Sequence, residues 1–429
     1  MLSVEDNELI SRVGPETPMG QLMRCYWVPA LMSSELASPD AAPMRLRLLG
    51  ENLIAFRVTS GAVGIVADAC PHRGASLFFG RNEADGLRCV YHGWKFDHHG
   101  VCVDMPSEPA ESNFKNKVRA ASYPCIERGG VVWTYMGKAA TPPELPAFAA
   151  NLSPTASVNA YQTECNWLQT LEGDIDTVHF GFLHRGSINV DNLPLWASKS
   201  DYYAVADRTP RYKVIDTESG VMYGAYRDAE PGLEYWRTAL FLFPFYTMPP
   251  GGVSVQCRVP MDDSHTMNFT LTAAGRRAIV PNEVLGDPAW RRIAAGILPN
   301  TSDWLGRYRP GSNRDNDYEI DRELQRRNQG NNGYTGIVGN VQDQAITESM
   351  GAIYNRSHEH LGTSDAMIIR TRRRLLQAAK ALRDRGETSP GLTNPASYAL
   401  RSATMVLPKG ADWVAQSQEA PSQAPLAAV

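Results

Sequence analysis

The sequence predicts an α+β protein, in which a small all-β domain precedes a larger domain that combines an antiparallel sheet with helices. Three observations predict this class. Short β-like runs with glycine-containing turns fill the region from Arg45 to Trp133, a second β-rich region extends from Tyr202 to Thr272, and helical patterns follow it. The length of 429 residues also suits two domains. We therefore predict domains at residues 1–150 and 151–407, and a disordered tail at residues 408–429.

Composition narrows the classes of partner. The chain has 42 Lys and Arg against 46 Asp and Glu, a net charge of -4, which argues against a protein that binds nucleic acid through phosphate contacts. No apolar run approaches the roughly 20 residues that span a bilayer. The N-terminal MLSVEDNELI carries acids where an export signal carries bases. We expect a cytoplasmic protein that binds neither nucleic acid nor membrane.

The first domain begins with about 20 residues of helical character. The strands that follow are predicted from short β-branched and aromatic runs between turns, at Leu53–Val58, Val63–Val66, Leu87–Val90, Trp94–Phe96 and Gly130–Tyr135. Asp97–Gly100 is predicted to be a turn, and the proline-rich segment Thr141–Phe148 a linker.

The second domain opens with a helical stretch from Trp167 to about Leu183, before the β region that starts near Tyr202. Asn328–Tyr334 is rich in Asn and Gly and is predicted to be a loop. Two helices follow, at about Asp343–Tyr354 and about Asp365–Arg385. For the second of them, Ser364 is the predicted N-cap and Gly386 the predicted stop, and its arginines are expected to face solvent or another subunit.

Two short segments each offer one thiol and one imidazole. Cys70 and His72 lie in C-P-H-R-G, and Cys89 and His92 lie in C-V-Y-H-G after a gap of sixteen residues. Two Cys and two His can bind zinc or a [2Fe–2S] cluster of the Rieske kind. Zinc fingers pair Cys with Cys and His with His along the chain, whereas each segment here is mixed. The spacing therefore favours the cluster, with zinc as the alternative.

A second constellation lies in D-I-D-T-V-H-F-G-F-L-H. His179 and His184 are five residues apart, so a regular helix would not put both on one face, and Gly181 is expected to relax or end the helix between them. Asp176 lies three residues before His179, where it can accept the imidazole N–H that does not face a metal. Two His and one carboxylate form the facial triad of O₂-activating Fe(II) sites, and Asp343 is the predicted carboxylate.

The environment of Asp343 supports this choice at the level of sequence. On the predicted helix, Asp343, Ile346 and Met350 fall on one face, which places a carboxylate among apolar residues. An unpaired buried charge is costly, and a metal ion would explain it.

The complete C-x-H-x16-C-x-x-H pattern resembles the Rieske non-haem iron oxygenases. The segments DNELISRVGPETPMGQLMRCYWVPA, QDQAITESMG and RSHEHLGTSDAMIIRTRRRLL resemble the phthalate-dioxygenase branch of this family, the α-subunits of aromatic ring-hydroxylating oxygenases. Respiratory Rieske proteins carry an additional cysteine in each loop, and these join as a disulfide. Ala75 and Tyr91 stand at those places here, so the resemblance is to the oxygenase kind.

The resemblance implies a [2Fe–2S] cluster on Cys70, His72, Cys89 and His92, and a mononuclear Fe(II) on His179, His184 and Asp343. It makes Asp176 the bridge that receives an electron from the cluster of a neighbouring subunit, with Glu172 and Asp174 as alternatives. It also implies a helix-grip, START-like catalytic domain, a homotrimer or stacked trimers, O₂ as co-substrate, and a separate flavin and iron–sulfur reductase that draws electrons from NAD(P)H.

The implied substrate is an aromatic carboxylic acid, such as a phthalate or a substituted benzoate, and the implied reaction is hydroxylation. An aromatic carboxylate requires a cation, and Arg211 and Arg237 are the first candidates among the arginines of the β region, which also include Arg208 and Arg227. The aromatic residues Phe241, Phe243, Phe245 and Tyr246 could line a pocket or form plain core. His265, His358 and His360 are assigned no chemistry.

Three other functions stay open at this stage. An O-demethylase of a methoxylated aromatic acid would use the same iron ligands. A Rieske electron carrier would need only the first domain, and about 280 further residues argue against it. A structural zinc protein is the third alternative.

Overall fold

The computed structural model describes residues 1–109, 111–153, 156–194, 197–251, 254–273 and 296–419. It confirms the α+β class. Small antiparallel sheets occupy the first part of the chain, and a sheet of eight described antiparallel strands, covered by helices, occupies the second.

The chain begins with two short helices, Val4–Ser11 and Pro18–Arg24. Each has a side-chain cap, because Ser3 Oγ accepts a hydrogen bond from the Asp6 amide and Thr17 Oγ1 accepts one from the Gly20 amide. The strands of the first part are β1 (Trp27–Met32), β2 (Met44–Leu48), β3 (Glu51–Arg57), β4 (Val63–Ala67), β5 (Arg81–Glu83), β6 (Gly86–Arg88), β7 (Lys95–Phe96), β8 (Cys102–Asp104), β9 (Ser122–Tyr123), β10 (Cys125–Arg128) and β11 (Val131–Tyr135).

These strands form three sheets, in the orders β2-β3-β4-β9, β5-β6-β7-β8 and β1-β11-β10. The first two enclose a small apolar core that includes Phe56, Leu77 and Phe96. This core supports the Cys70 loop, which follows β4, and the Cys89 loop, which joins β6 to β7. The predicted turn at Asp97–Gly100 is confirmed, since the Asp97 carboxylate accepts hydrogen bonds from the amides of His99 and Val101.

The strands of the second part are β12 (Ser157–Thr163), β13 (Arg211–Thr217), β14 (Gly220–Asp228), β15 (Leu233–Leu242), β16 (Tyr246–Met248), β17 (Ser254–Pro260), β18 (Thr266–Thr272) and β19 (Thr404–Pro408). Their order is β12-β18-β17-β16-β15-β14-β13, with β19 paired to the first half of β15. Besides the two N-terminal helices, the described α-helices are Ala149–Leu152, Trp167–Ile175, Lys199–Ala206, Arg322–Arg327, Gly339–Ser349, Ala366–Arg385 and Trp413–Glu419. None of the helices in the described ranges combines the length and apolar character that crossing a bilayer would require.

The larger apolar core does not follow the predicted domain division. It joins the N-terminal helices, β1 and β11 to the eight-stranded sheet. Tyr246 donates a hydrogen bond from its hydroxyl to the Trp27 carbonyl at 2.7 Å, and the Trp27 indole donates to the Pro143 carbonyl at 2.7 Å. The segment predicted to be a linker is therefore packed, with Phe148 fully buried. The division at residue 150 stays a prediction.

Two predicted elements are wrong in part. The β region does not begin at Tyr202, because residues Lys199–Ala206 form a helix whose N-terminus is capped reciprocally by Ser198 and Asp201. The helix from Trp167 ends at Ile175 rather than near Leu183, and a separate π-helical turn covers Phe180–His184.

The helices near the C-terminus also differ from their predicted bounds. Asp343 lies in the middle of the helix Gly339–Ser349 and not at its start. The longest helix begins at Ala366 after a short 3-10 turn, so Ser364 is not its N-cap, whereas Gly386 ends it in the left-handed conformation at φ 64° as predicted. Arg372 of this helix is buried in an ion-pair network, which corrects the prediction that its arginines face outward.

The prediction of a disordered tail from residue 408 is wrong as far as residue 419. Trp413–Glu419 is helical, and the Trp413 ring stacks on Trp236 with centroids 5.4 Å apart and planes within 6°. This buried aromatic pair holds the tail on the sheet, although the composition of the segment is polar. The rest of the predicted tail, residues 420–429, lies outside the described residues.

Candidate active site

The two Cys-His loops adopt the same backbone turn. The Gly74 amide donates to the Cys70 carbonyl and the Gly93 amide donates to the Cys89 carbonyl, both at 2.9 Å. Both glycines follow their cysteine by four residues and have positive φ angles of 76° and 79°. A side chain would be strained in this conformation, which explains a glycine at the same place in each loop. The two turns bring the His72 and His92 rings to 4.4 Å between centroids.

The four side chains are suited to bind metal. Cys70 and Cys89 are almost completely buried, and burial raises the pKa of the Cys70 thiol, so a thiolate here requires a positively charged partner. Burial, and then the charges of His72 and Arg73, lower the pKa of His92, which favours the neutral imidazole that a metal ligand needs. His72 Nδ1 is buried and has no hydrogen-bond partner among the described residues. An orphaned imidazole nitrogen in this place fits a metal ligand.

The arrangement does not fit a single zinc ion. Tetrahedral zinc holds its ligand atoms within about 4 Å of one another. In the described part of the chain, one group of three or more His, Cys, Asp or Glu side chains has its ligand atoms within 4.8 Å of one another. That group is formed by His179, His184 and Asp343, and it does not include the cysteines or histidines of the two loops. The two Cys-His pairs are therefore spread more widely than one ion would hold them, as expected for a two-iron cluster.

His179 and His184 meet because the regular helix has ended at Ile175 and a separate π-helical turn joins the two histidines. The π-helical turn Phe180–His184 places their rings 5.1 Å apart. Arg208 holds the turn from outside, since its guanidinium donates to the carbonyls of Gly181 and Ile188. The expectation that Gly181 relaxes or ends the helix is wrong, because the helix has already ended at Ile175, and Arg208 is a contact that the sequence did not suggest.

Asp343 completes the group of three. Its Oδ1 lies 3.3 Å from His184 Nε2 and 3.6 Å from His179 Nε2. The apolar environment predicted for it is wrong, because Ile346 and Met350 are exposed and the Asp343 side chain is 49% exposed toward a cavity. Burial raises the pKa of Asp343, but the hydrogen bond and charge of His184 outweigh it, and the net shift is downward. The three groups thus favour a positive charge among them, which a divalent cation would supply.

Gln342 determines which nitrogen of His184 faces that position. Its Oε1 lies 2.7 Å from His184 Nδ1, while its Nε2 donates to Thr335 Oγ1 and to the Ile337 carbonyl. Because the amide nitrogen is committed as a donor to both partners, Oε1 is the acceptor and His184 Nδ1 carries the proton. The lone pair of His184 Nε2 therefore points toward Asp343.

Of the three carboxylates considered as the bridge to the cluster, Asp176 has the suitable environment. Its Oδ2 lies 3.6 Å from His179 Nδ1. Asp174 instead forms a bidentate pair with Arg258, and Glu172 is held by Arg356 and Arg372. Asp176 does not reach His179 across one face of a helix, as predicted, because the helix has ended before it. The backbone at Asp176 is extended, and its carboxylate accepts a hydrogen bond from the Val178 amide, which orients it toward His179.

A cavity of about 740 Å³ adjoins this group, with His179, His184, Asp176 and Asp343 in its wall. The apolar part of the lining includes Phe180, Pro249, Pro250, Ile297, Val338 and Val341, and the polar part includes Asn159, Tyr161, Thr177, Arg237, Gln256, Arg258 and Thr270. The cavity is large enough for an aromatic ring with substituents.

The two arginines predicted to bind substrate lie in different places. Arg237 is 8% exposed and lines the cavity, with its Nε donating to Thr177 Oγ1 at 3.1 Å and its guanidinium 4.3 Å above the Phe180 ring. Arg211 is half exposed on β13, pairs with Asp228 at 3.3 Å and does not line the cavity, so its prediction is wrong. Strand alternation did not reveal that Arg211 lies on the outer face of an edge strand.

The aromatic run that could have been pocket or core is core. Phe241, Phe243, Phe245 and Tyr246 are all fully buried in the larger apolar core, and none of them lines the cavity. His265 forms a 2.9 Å contact with Asp262 in the turn between β17 and β18, as expected for a histidine without chemistry. Sequence reasoning missed Gln342 and Arg258, and it considered Arg208 only as an arginine of the β region and not as a contact of the turn between the histidines. For Gln342, its position directly before Asp343 was the available signal.

Comparisons with known proteins agree with this geometry. Residues 26–124 match the Rieske [2Fe-2S] domain, and residues 134–428 match the LigXa C-terminal domain like family. The chain is 44% identical to the 3-chlorobenzoate-3,4-dioxygenase oxygenase subunit of Comamonas testosteroni, over 96% of this chain and 97% of that protein. It is 38% identical to the phthalate 4,5-dioxygenase oxygenase subunit of Pseudomonas putida, over 96% and 94%.

More distant relatives share the fold. A 5,5'-dehydrodivanillate O-demethylase oxygenase subunit from Sphingobium sp. is 31% identical over 90% of this chain and 82% of its own length. Among solved structures, a mutant of NdmA from Pseudomonas putida CBB5 matches with a TM-score of 0.58 at 18% identity, covering 92% of this chain and all of that chain (100%). The terminal oxygenase of carbazole 1,9a-dioxygenase from Nocardioides aromaticivorans matches with a TM-score of 0.53 at 19% identity, over 88% and 100%.

Proposed function

Because the chain belongs to the Rieske non-haem iron oxygenases as an oxygenase subunit, we propose that it hydroxylates an aromatic carboxylic acid of the phthalate or substituted benzoate class. The family uses a Rieske [2Fe–2S] cluster, mononuclear iron and O₂, with electrons from a separate reductase. The observation that carries the substrate class is Arg237, a buried cation in the cavity wall beside the predicted iron ligands. Relatives of similar length that act on 3-chlorobenzoate and phthalate support the same class.

The cluster is assigned to Cys70, His72, Cys89 and His92. The matching turns, the buried thiols and the unpartnered His72 Nδ1 support this assignment. Trp94 stacks on His72 with ring centroids 4.3 Å apart, so it limits how far this ring can rotate. Rings fixed in this way keep both imidazoles oriented toward one iron.

The mononuclear iron is assigned to His179, His184 and Asp343. When bound, iron supplies the activation of O₂ and the oxidation of the substrate. The chain supplies the orientation: Gln342 fixes the tautomer of His184, Asp176 approaches the outer nitrogen of His179, and Arg208 holds the turn between the two histidines. Three protein ligands on one side leave the cavity side open for O₂ and substrate.

Arg237 orients the substrate by binding its carboxylate. The guanidinium offers donors that match a carboxylate, and Thr177 and the Phe180 ring hold it in place. The ring of the bound acid then lies among Phe180, Pro249 and Ile297, which exclude water from the carbon that faces the metal ligands. Which carbon faces them depends on the positions of these apolar residues relative to Arg237.

Asp176 is assigned to the route between subunits. Its carboxylate is 30% exposed, and it contacts His179 from the side away from Asp343. A carboxylate in this place can hold the His179 N–H and meet the cluster domain of a neighbouring subunit. This role requires a homo-oligomer, and we assign the chain to a trimer or stacked trimers. An NAD(P)H-dependent flavin and iron–sulfur reductase would act with it in the cytoplasm.

O-demethylation is the second candidate. The relative named as a 5,5'-dehydrodivanillate O-demethylase subunit covers 90% of the chain, and the same iron ligands would serve either reaction. The electron-carrier and zinc alternatives lose support, because full-length relatives are oxygenase subunits and the Cys-His pairs do not surround one ion.

The experiment is a single-turnover assay of the dithionite-reduced, iron-loaded protein with O₂, which removes the need to identify the reductase. The panel contains phthalates, halobenzoates and methoxybenzoates, with the matching neutral arenes as controls. Hydroxylation or a cis-diol from an acid, without product from its neutral control, would support the proposal. Formaldehyde from methoxybenzoates alone would support O-demethylation. Reaction of neutral arenes only would contradict the substrate class.

A further inference from the structure

A second buried arginine, Arg227, lies on β14, the strand next to the one that carries Arg237. Arg227 is 2% exposed, and its Nε donates to the Asp207 main-chain carbonyl, which carries no net charge. Its Nη1 is buried and has no hydrogen-bond partner among the described residues. Burial, followed by the charge of Arg237, lowers the pKa of the Arg227 guanidinium. Arg227 is thus a buried cation that forms no ion pair with a carboxylate among the described residues.

The register of the sheet makes the two arginines neighbours. On β14 and β15, Arg227 pairs with Tyr235, and Ala225 pairs with Arg237. The two guanidinium groups therefore extend from the same face on diagonal positions, about 7–8 Å apart at the backbone. Like charges so close together in a buried place are unfavourable unless an anion joins them.

No carboxylate pairs directly with either arginine in the described part of the chain, and the nearby Asp207 carboxylate accepts from Thr209 instead. Asp176 and Asp343 are engaged with the two histidines. The surroundings add a further unmet polar group, since the Tyr212 hydroxyl is buried without a hydrogen-bond partner among the described residues. Arg237 and its hydrogen-bond partner Thr177 line the cavity, whereas Arg227 and Tyr212 do not.

We propose that Arg227 is a specificity-determining residue that acts through Arg237, and that the two buried guanidinium groups form one cationic pole that selects anionic over neutral aromatic substrates. This inference rests on the proposed function and adds a residue to it. A ligand carboxylate binds Arg237 directly and neutralises the field of both arginines. A neutral ligand of the same shape fills the cavity but leaves two adjacent charges uncompensated. Arg227 is a positioning residue, because the ligand does not touch it.

The test compares two ligands of the same shape and different charge, 3-chlorobenzoate and 3-chloronitrobenzene. Their Kd values are measured by calorimetry on the anaerobic, iron-loaded protein, so no turnover is needed. Arg227→Gln removes the charge but can still donate to the Asp207 carbonyl, and Arg227→Lys keeps the charge. Arg211→Gln is the control, because it removes a charge from the same hairpin at an exposed position.

We expect Arg227→Gln to raise the Kd for 3-chlorobenzoate by about tenfold, which is the effect of losing one favourable charge interaction. The Kd for 3-chloronitrobenzene should stay the same. Arg227→Lys should keep most of the preference for the acid, and Arg211→Gln should match the wild type. Equal losses for both ligands, or an unchanged preference in Arg227→Gln, would overturn the inference. An Arg227→Gln protein without the cluster absorbance would be misfolded, and the test would then use Arg227→Lys. A folded Arg227→Lys protein that no longer prefers the acid would also overturn the inference, because this variant keeps the charge.

The same measurement separates this inference from the proposed function. A wild-type protein that binds the acid more tightly, with an unchanged preference in Arg227→Gln, would overturn the role of Arg227 alone. A wild-type protein that prefers the neutral ligand would overturn both.

Discussion

At the scale of single residues, the site depends on side chains that have committed hydrogen bonds. Gln342 is the clearest example, because both of its amide functions are used and only one tautomer of His184 fits it. Asp343 is the opposite case, a carboxylate that faces a cavity and lies within 3.6 Å of an imidazole nitrogen of both His179 and His184. Gln342 fixes the orientation and tautomer of His184, and Asp343 provides the negative charge that a metal cation requires.

Replacement of the proposed carboxylate ligand tests the metal assignment. We expect Asp343→Ala to lose most of its iron, a larger effect than the about 10–100-fold weakening typical of changes around a ligand. The cluster absorbance should remain, because the Cys-His loops are supported by the smaller core. Metal analysis and visible spectra measure both, with the exposed Asp315→Ala as control. A variant that retains full iron and turnover would contradict the assignment.

Replacement of Gln342 tests the tautomer argument. Gln342→Leu removes the acceptor for His184 Nδ1, so we expect iron affinity to fall by about 10–100-fold. Gln342→Glu keeps an acceptor at that place and should bind iron more tightly than the Leu variant. Iron titration of the apoprotein gives the affinities, and Gln377→Leu on the exposed side of the long helix is the control. Equal affinity in the Leu and Glu variants would refute the argument.

At the scale of elements, the helix that precedes the histidines is held from behind by buried ion pairs. Glu172 of the helix Trp167–Ile175 accepts from Arg356 and Arg372, which are 0% and 5% exposed at their side chains. Arg372 also contacts Glu359. The network connects the long helix Ala366–Arg385 to the element that leads into Asp176. In this network, Arg356 and Arg372 are buried and pair with the Glu172 carboxylate, so they do not belong to a solvent-exposed face.

Removal of that carboxylate charge should destabilise the protein. Glu172→Gln leaves two buried arginines with less compensation, and we expect a loss of about 3–5 kcal/mol in the free energy of unfolding. Chemical denaturation at neutral pH measures it, with Glu323→Gln of an exposed pair as control. A loss no larger than that of the control would show that the network contributes little.

The same variant has a defined pH dependence. Burial raises the pKa of Glu172, but the charges of Arg356 and Arg372 outweigh it, so the folded-state pKa lies below its usual value of 4.5. The stabilisation is therefore complete above about pH 4.5 and disappears as the pH falls through the lower folded-state pKa. The difference in stability between wild type and Glu172→Gln should shrink on acidification in that range.

At the scale of the whole molecule, the cluster-bearing part and the cavity-bearing part are joined by charged contacts as well as by the shared core. Arg307 forms a bidentate pair with Glu35, at 2.7 Å for both contacts, with side chains 4% and 8% exposed. Arg45 donates to the Ser302 carbonyl and lies over the Trp304 ring. The segment that carries Ser302, Trp304 and Arg307 continues at Pro310 into the cavity wall.

A double-mutant cycle tests this connection. Glu35→Gln leaves Arg307 buried without its partner charge and should cost about 3–5 kcal/mol, whereas Glu35→Gln with Arg307→Met should recover part of that loss. Unfolding followed by both far-UV and cluster signals measures it. The exposed pair Arg370 and Asp216 provides a control cycle with a smaller coupling energy. No coupling between Glu35 and Arg307 would show that the pair does not join the two parts.

The sequence by itself determined the chemistry of the sites. Cys70, His72, Cys89 and His92 could be predicted as cluster ligands because they lie close together in the chain and follow a fixed spacing. The α+β class followed for a similar reason, since β-rich and helical patterns are local. His179 and His184 were predicted in the same way, but the end of the helix at Ile175 and the π-helical turn that joins them were not.

Only the tertiary structure decided which side chains face the cavity. Arg211 and Arg237 look alike in sequence, yet one pairs with Asp228 on the surface and the other is buried beside Phe180. Trp413 packs on Trp236 from a segment of polar composition. Arg227 and Arg237 become neighbours only through the register of β14 and β15. Orientation and long-range contact depend on which strands pair and which face is covered, and no local pattern in the chain encodes either.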